Sequence, residues 1–442
     1  MADQRMSGPS TLATMRDEAT QEVRLAVVMT GGASLAVWMG GVATEINLAT
    51  GARDHASVGG PADPTDAAVA ARYARLLAIL DVEIAVDVLA GTSAGGINAA
   101  MLGFANARRA DLAPLRDLWL SLGSLDAMMR TPADRAFPSL LRGDAVVLPA
   151  LHTAFSAVAA TAPRQHRHAT RPTSMFVTTT IVRGEVVEHT DSLGGTMYDV
   201  DYRGLFVFGT PDLTDPGAIP RLALAARASS AFPGAFEPAW VPVGRPVDDA
   251  HPDLAAYVNS ARSFHASDGG ILVNRPIGPA LAAIFDRPAE RQVRRVLTYV
   301  VPSARPAQLL SQPPTHGAPR ASSPQPLPAP PPVSSTLLGA LDAALNQSIG
   351  TDLAALRAHN DAVRGTRTAR RRLLRLAPAG TARLADDAVY HAYRRIMAEQ
   401  VATPVVEALL RVLTDRADLP RPPDADVVRG APGGPRGHTP AE

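Results

Sequence analysis

Three separated patches of the chain hold groups that together can carry out acyl transfer. Gly91-Thr92-Ser93-Ala94-Gly95 is a G-x-S-x-G turn, which sets a serine hydroxyl on the sharp corner between a strand and a helix. Gly31-Gly32-Ala33 offers backbone amides with little side-chain cover, and Ser267-Asp268-Gly269-Gly270 supplies a carboxylate flanked by glycines. A serine hydroxyl is a poor nucleophile until its proton has an acceptor and the oxyanion it generates is stabilised. A nucleophile, a base and a set of amide donors are the minimum for that chemistry.

Each patch also has plainer readings. The Gly31–Gly32 loop can cradle a phosphate, form an oxyanion hole with Gly31, Gly32 and Ala33, or be a simple strand–helix turn. The dinucleotide spacing G-x-G-x-x-G is not met, and no suitably placed acidic residue follows a second strand. A G-x-x-x-x-G-K-[ST] loop is excluded as well, because the 442 residues include no Lys. Asp268 is either part of an ordinary Asp-Gly-Gly turn or a carboxylate held directly against Ser93. The common hydrolase arrangement uses a His as base, and eleven are present. His265, three residues before Asp268, is the candidate for such a triad. The stretch Gln165-His166-Arg167-His168 reads as a solvated loop rather than a metal site.

These patches need elements to position them. Val23–Met29 (VRLAVVM) is a short apolar, β-branched run ending at glycines, the pattern of a buried strand. Leu35–Leu48 is compatible with a helix, residues 51–66 with a surface loop, and Ala67–Leu80 with a second helix. Val82–Leu89 (VEIAVDVL) is a second buried strand that runs directly into Gly91, and a helix is expected over Ala94–Asn106. Strand, tight turn and helix therefore occur twice within 110 residues, the rhythm of an α/β domain with a mostly parallel sheet. Further strands are expected at Ser174–Ile181, Glu185–His189, Leu205–Phe208 and Val296–Val301, with a short helix over Ala223–Ser230.

Beyond this region, residues 311–333 hold nine prolines in 23 positions and read as an extended linker. Leu338, Leu341, Leu345, Ile349, Leu353 and Leu356 then recur as on one helix face. Two more helices are expected, over about Asp386–Ala402 and from Thr403-Pro404 to Asp415. The expected division is a flexible segment 1–22, a catalytic domain 23–310, a Pro-rich linker 311–334, a helical region 335–416 and a flexible tail 417–442.

Composition bounds the rest. A net charge of +1 gives no support for nucleic-acid binding. With no Cys there are no disulfides, thiolate nucleophiles or cysteine-ligated metals, and the all-Arg basic complement reflects a GC-rich genome. The first 22 residues are polar and mixed in charge, without a signal peptide's apolar stretch. Leu25–Ala43 approaches the length of a membrane span, but its glycines suit a strand, loop and helix better. The expectation is a cytoplasmic protein with peripheral contact at a membrane; the oligomeric state is not legible.

In order and spacing, these motifs resemble the patatin-like phospholipase family, which pairs a loop commonly written G-G-G-x-[RK]-G with a G-x-S-x-G serine and a downstream D-G-[GA] aspartate. The likeness extends to Gly41-Val42, Val86–Ala90, Asn98-Ala99-Ala100, Ala228–Pro233 and Asn274-x-Pro276, and covers roughly residues 23–300. It implies a three-layer α/β/α fold and a Ser93–Asp268 dyad acting without histidine through an acyl-enzyme. It further implies lipid acyl esters as substrates, Gly31, Gly32 and Ala33 as the oxyanion hole, Gly91 and Gly95 as the glycines of the elbow, and neither metal nor cofactor. Two departures stand out: Ala33 replaces a glycine, and Leu35 stands where the family often has Arg or Lys. The second function class is therefore a lipid-binding or regulatory protein that keeps the fold without turnover. Arg364–Leu376 (RGTRTARRRLLRL) and Phe232-Pro233-Gly234-Ala235-Phe236 are candidates for membrane and acyl-chain contact.

Overall fold

The computed structural model describes residues 21–32, 36–55, 61, 63–131, 138–161, 172–190, 195–287, 293–302 and 349–376, with isolated positions between 332 and 398. Ala33, Ser34 and Leu35 lie outside the described residues. So do the His166–His168 stretch, the segment 1–20, all but two residues of the Pro-rich segment, the tail 417–442, and nearly all of the two helices expected beyond 386.

The apolar runs read from the sequence form strands as expected, each somewhat longer. Seven strands, β1 (Gln21–Met29), β2 (Val82–Thr92), β3 (Ser174–Thr190), β4 (Thr196–Gly209), β5 (Ala239–Val241), β6 (Phe264–Asp268) and β7 (Val293–Val300), make one sheet. Its order is β5-β6-β3-β2-β1-β7, with β4 paired to β3. The parallel expectation holds for β3-β2-β1-β7. The other half is antiparallel, so the sheet is mixed. The two strands expected at Ser174–Ile181 and Glu185–His189 are one strand, because the backbone continues through a register shift between Thr180 and Glu185.

Helices flank both faces. Along β1, Val27 and Met29 join the large apolar cluster that includes Met39 and Ala43 of α1 (Ala36–His55) and Met101 and Phe104 of α3 (Ala94–Arg108). Ala26 and Val28 alternate with them, are just as buried, and lie outside that cluster. Side chains on a strand alternate between faces, so these point to the second layer. There a helix over Ile277–Asp286 packs on β1, β2 and β3. Residues 51–55 and 64–66 of the loop expected over 51–66 are helical. The α1 helix runs on to His55, since Leu48, Gly51 and Ala52 are buried and packing outweighs the glycine's weak helix preference.

α2 (Pro64–Leu80) begins on an Asp63 cap, whose carboxylate accepts from the amides of Thr65 and Asp66. Two elements without a strong sequence signal, α4 (Pro114–Leu122) and α5 (Leu148–Ala160), complete the region around the site together with α6 (Ala218–Ser229), the helix expected over Ala223–Ser230, which begins five residues earlier. The apolar run Gly143–Ala160 is long and apolar enough by composition to cross a membrane. In the fold its Leu148, Leu151, Phe155 and Val158 are core residues. Separately, a long helix spans Gly350–Leu376.

Candidate active site

β2 ends at Thr92 and α3 begins at Ala94, leaving Ser93 on the corner with φ 56° and ψ −128°. A non-glycine residue stays in that strained region only when its surroundings impose it. Here the constraint is steric. A Cβ on Gly95 would strike the carbonyls of Met29 and Thr30 at the end of β1, and one on Gly91 would strike the backbone of Gly95. The two glycines therefore let β1, β2 and α3 approach closely enough to force the turn.

β3 brings a carboxylate to this corner. Thr178 pairs with Thr92, the last residue of β2, and the next residue, Thr179, pairs with Asp268, the last residue of β6. The other edge of β3 is occupied by β4, so β2 and β6 share one edge and meet end to end. Ser93 and Asp268, 175 positions apart, are thereby brought together, and the Ser93 hydroxyl donates to Asp268 Oδ2 at 2.6 Å. Asp268 Oδ1 accepts from the Gly270 amide at 2.7 Å. The side chain is buried, and that desolvation raises its pKa to about 6, opposed by the hydrogen bonds from Ser93 and Gly270.

Two further residues tie the constellation together: Ser229, in the helix expected over Ala223–Ser230, and Asn274, noted only through the family resemblance; neither was given a role from the sequence. Ser229, fully buried at the end of α6, accepts the Ser93 amide on its Oγ at 2.8 Å. Its carbonyl accepts from Gly269 at 3.2 Å, and two residues on Ala231 accepts from the Asp268 amide at 2.9 Å. One short segment thus holds both Ser93 and Asp268. Asn274 accepts the Gly31 amide on its Oδ1 at 2.9 Å. Gly31 is therefore already committed to a side chain, which differs from the expectation that its amide faces the substrate. The adjacent Gly32 has φ 155°, and a Cβ there would press on Pro302.

In front of Ser93 lies a cavity of about 660 Å³. Gly31, Gly32, Ser93, Asp268 and Asn274 form its polar end. Ile97, Trp119, Leu122, Met128, Leu141, Val147, Phe232 and Phe236 form the apolar remainder. Phe232 and Phe236, from the segment picked out in the sequence, do face this cavity. The wall carrying Leu141 and Phe236 is stitched together by bridges between Met129 and Leu141 and between Leu141 and Phe236. Behind it Arg227, 1% exposed, lies 3.0 Å from Asp144 and donates to the Glu237 carbonyl at 2.8 Å. Burial works to raise the Glu237 carboxyl. The amide of Asp144 and the hydroxyl of Ser139 outweigh it and hold the pKa at about 2.

His265 does not join the site. It alternates with Asp268 along β6, is exposed, and lies against Trp240 with ring centroids 4.7 Å apart. Among the described residues no His lines the cavity.

A corner serine on a mixed α/β sheet, facing a carboxylate and an apolar cavity, defines a protein with the parts of a serine acyl hydrolase. Residues 27–281, more than half of the chain, match the model of the patatin-like phospholipase family, and the chain belongs to that family of lipid acyl hydrolases. Residues 353–434 match a second model, described as "Protein of unknown function (DUF3376)". A similar protein is "Uncharacterized membrane protein Rv3479" of Mycobacterium tuberculosis, 42% identical over 416 residues. That alignment takes in 89% of this chain but 37% of the relative, so the chain spans a little over a third of the relative's length.

Proposed function

We propose that this chain hydrolyses lipid acyl esters through a Ser93–Asp268 dyad and an acyl-serine intermediate. The observation that carries the reading is the 2.6 Å hydrogen bond from the Ser93 hydroxyl to Asp268 at the head of an apolar cavity. In the first half-reaction Ser93 Oγ attacks the ester carbonyl carbon while Asp268 Oδ2 takes the hydroxyl proton. The tetrahedral oxyanion lies beside the Gly loop and the first amides of α3, where partial positive charge collects. Collapse breaks the bond to the leaving alkoxide, which recovers the proton from Asp268. Water then attacks the acyl-serine, again giving its proton to Asp268; the bond from the acyl carbon to Ser93 Oγ breaks, Oγ takes that proton back from Asp268, and the fatty acid departs. A carboxyl with a pKa of about 6 is ionised at neutral pH and more basic than an exposed aspartate, as the role requires. Peripheral contact with a membrane, the source of such esters, belongs to the same proposal.

A second reading rests on the Gly31 amide being held by Asn274: the fold binds lipid without turning it over. A fluorophosphonate probe separates the two. Labelling of the wild type but not of Ser93→Ala, matched by fatty-acid release from a lipid extract, supports hydrolysis. An unlabelled wild-type protein that retains bound fatty acid supports the second reading.

A further inference from the structure

Resting on the dyad reading, we propose that the site is built for acyl esters with an uncharged leaving group, such as acylglycerols, and discriminates against esters that carry a phosphate close to the scissile bond. Asp268 is the one ionisable side chain among the described residues that line the cavity, and when that group acts as a base it is an anion. Among the described residues no Arg or His lines the cavity. Its other polar side chains are already engaged with protein. Trp119 donates to Asn98 at 2.8 Å, Ser230 donates to the Arg227 carbonyl at 3.2 Å, and Asn274 accepts from Gly31.

Two cations of the adjoining wall, Arg227 and Arg130, are paired with carboxylates. Arg227 lies between Asp144 and Glu237, at 3.0 and 3.6 Å, and Arg130 lies 3.1 Å from Glu237. A phosphate only a few bonds from the ester would have to sit beside an anion with no cation among the described residues that line the cavity, and such burial is strongly unfavourable. A glycerol hydroxyl or a fatty alcohol meets no such obstacle, and the aliphatic and aromatic walls suit the acyl chain itself.

The test compares the full-length protein on two substrates differing only in the phosphate, 1-oleoylglycerol and 1-oleoylglycerol 3-phosphate. Both are presented in the same nonionic micelles, with oleoyl lysophosphatidylcholine as a third case. The neutral ester is expected to show kcat/KM at least tenfold above either phospholipid. Val37 lines the cavity and is 56% exposed. Placing a cation there with Val37→Arg is expected to narrow that ratio severalfold. Equal or better turnover of the phosphate esters, with fluorophosphonate labelling of Ser93 intact, would overturn the proposal while leaving the dyad standing. Absence of both labelling and turnover would remove the dyad and this proposal together. An unchanged ratio in Val37→Arg would count against electrostatic exclusion as the cause.

Discussion

In the proposed mechanism the chemistry depends on one proton passing between two side chains, and the environment of Asp268 predicts how it responds to pH. Its folded-state pKa of about 6 lies above the ordinary 3.8, so the acid limb of kcat/KM on a soluble ester is expected near pH 6, with activity falling tenfold per pH unit below it. The stability effect runs the opposite way. A carboxyl whose pKa is raised on folding costs nothing while protonated, and its penalty grows as pH rises from about 4 to about 6. Asp268→Asn is therefore expected to lose several orders of magnitude in ester hydrolysis yet to melt a few degrees above the wild type at pH 8, with the gap closing at pH 4. A mild loss of activity would remove Asp268 from the mechanism. Ser229 acts one step back, through the Ser93 backbone. Ser229→Ala removes the acceptor at 2.8 Å, so kcat and the rate of fluorophosphonate labelling are expected to fall about tenfold, the worth of about 1.4 kcal/mol, with KM unchanged. A change confined to KM would show that Ser229 touches substrate instead. Ser93 and Asp268 were legible because their glycine-flanked motifs encode local backbone geometry. Ser229 and Asn274 were not, because their roles exist only once partners 136 and 243 positions away have been brought beside them.

Elements were legible in proportion to how much of their surface is buried on folding. β1, β2 and α3 stood out because strands covered on both faces, and the helix packed on them, read as continuous apolar runs. β6, the strand that carries the base, is five residues long with the sequence FHASD, and too short and polar to announce itself. Its place is set by β3, whose edge β2 leaves open after Thr178. The elbow is the most sterically constrained junction. Gly95→Ala would drive a methyl into two carbonyls at the end of β1, and a loss of at least ~3 kcal/mol is expected in urea denaturation, with fluorophosphonate labelling lost alongside. The wall of the cavity makes a separate prediction. The pKa of Glu237 is held at about 2, below its ordinary 4.5, so its stabilising contribution is complete above pH 4.5 and fades as pH falls toward 2. Replacing it in Glu237→Gln strips a partner from buried Arg227 and is expected to cost about 3 kcal/mol at neutral pH. That deficit should shrink on acidification; one independent of pH would mean that the charge is not what holds the wall.

At the scale of the whole molecule, the catalytic machinery and the Arg-rich segment belong to different parts of the chain, and the sequence placed both without relating them. The family match ends at residue 281, whereas Arg364–Leu376 falls within the region matched by the family of unknown function. The leucine spacing that signalled a helix ends at Leu356; the helix Gly350–Leu376 continues through the Arg-rich segment. Arg364, Arg367 and Arg371 are exposed on it at intervals of three and four residues, which sets them along a single stripe. Apart from the exposed Arg364–Asp361 pair at 3.5 Å, this stripe is available to the anionic surface of a membrane, and each arginine near such a surface contributes on the order of 1 kcal/mol. Changing all three to Ala is therefore expected to weaken binding to phosphatidylglycerol vesicles by roughly a hundredfold at low salt. Binding to phosphatidylcholine vesicles and hydrolysis of a soluble p-nitrophenyl ester should be unaffected. The difference should fade as ionic strength rises and the Debye length falls from about 10 Å at 0.1 M toward about 3 Å at 1 M. Vesicle sedimentation of the two proteins across a salt series measures this directly. Undiminished binding of the triple variant to anionic vesicles would mean that the protein reaches its lipid through another surface. The apolar residues at the mouth of the cavity, Val37 among them, would then be the next to change.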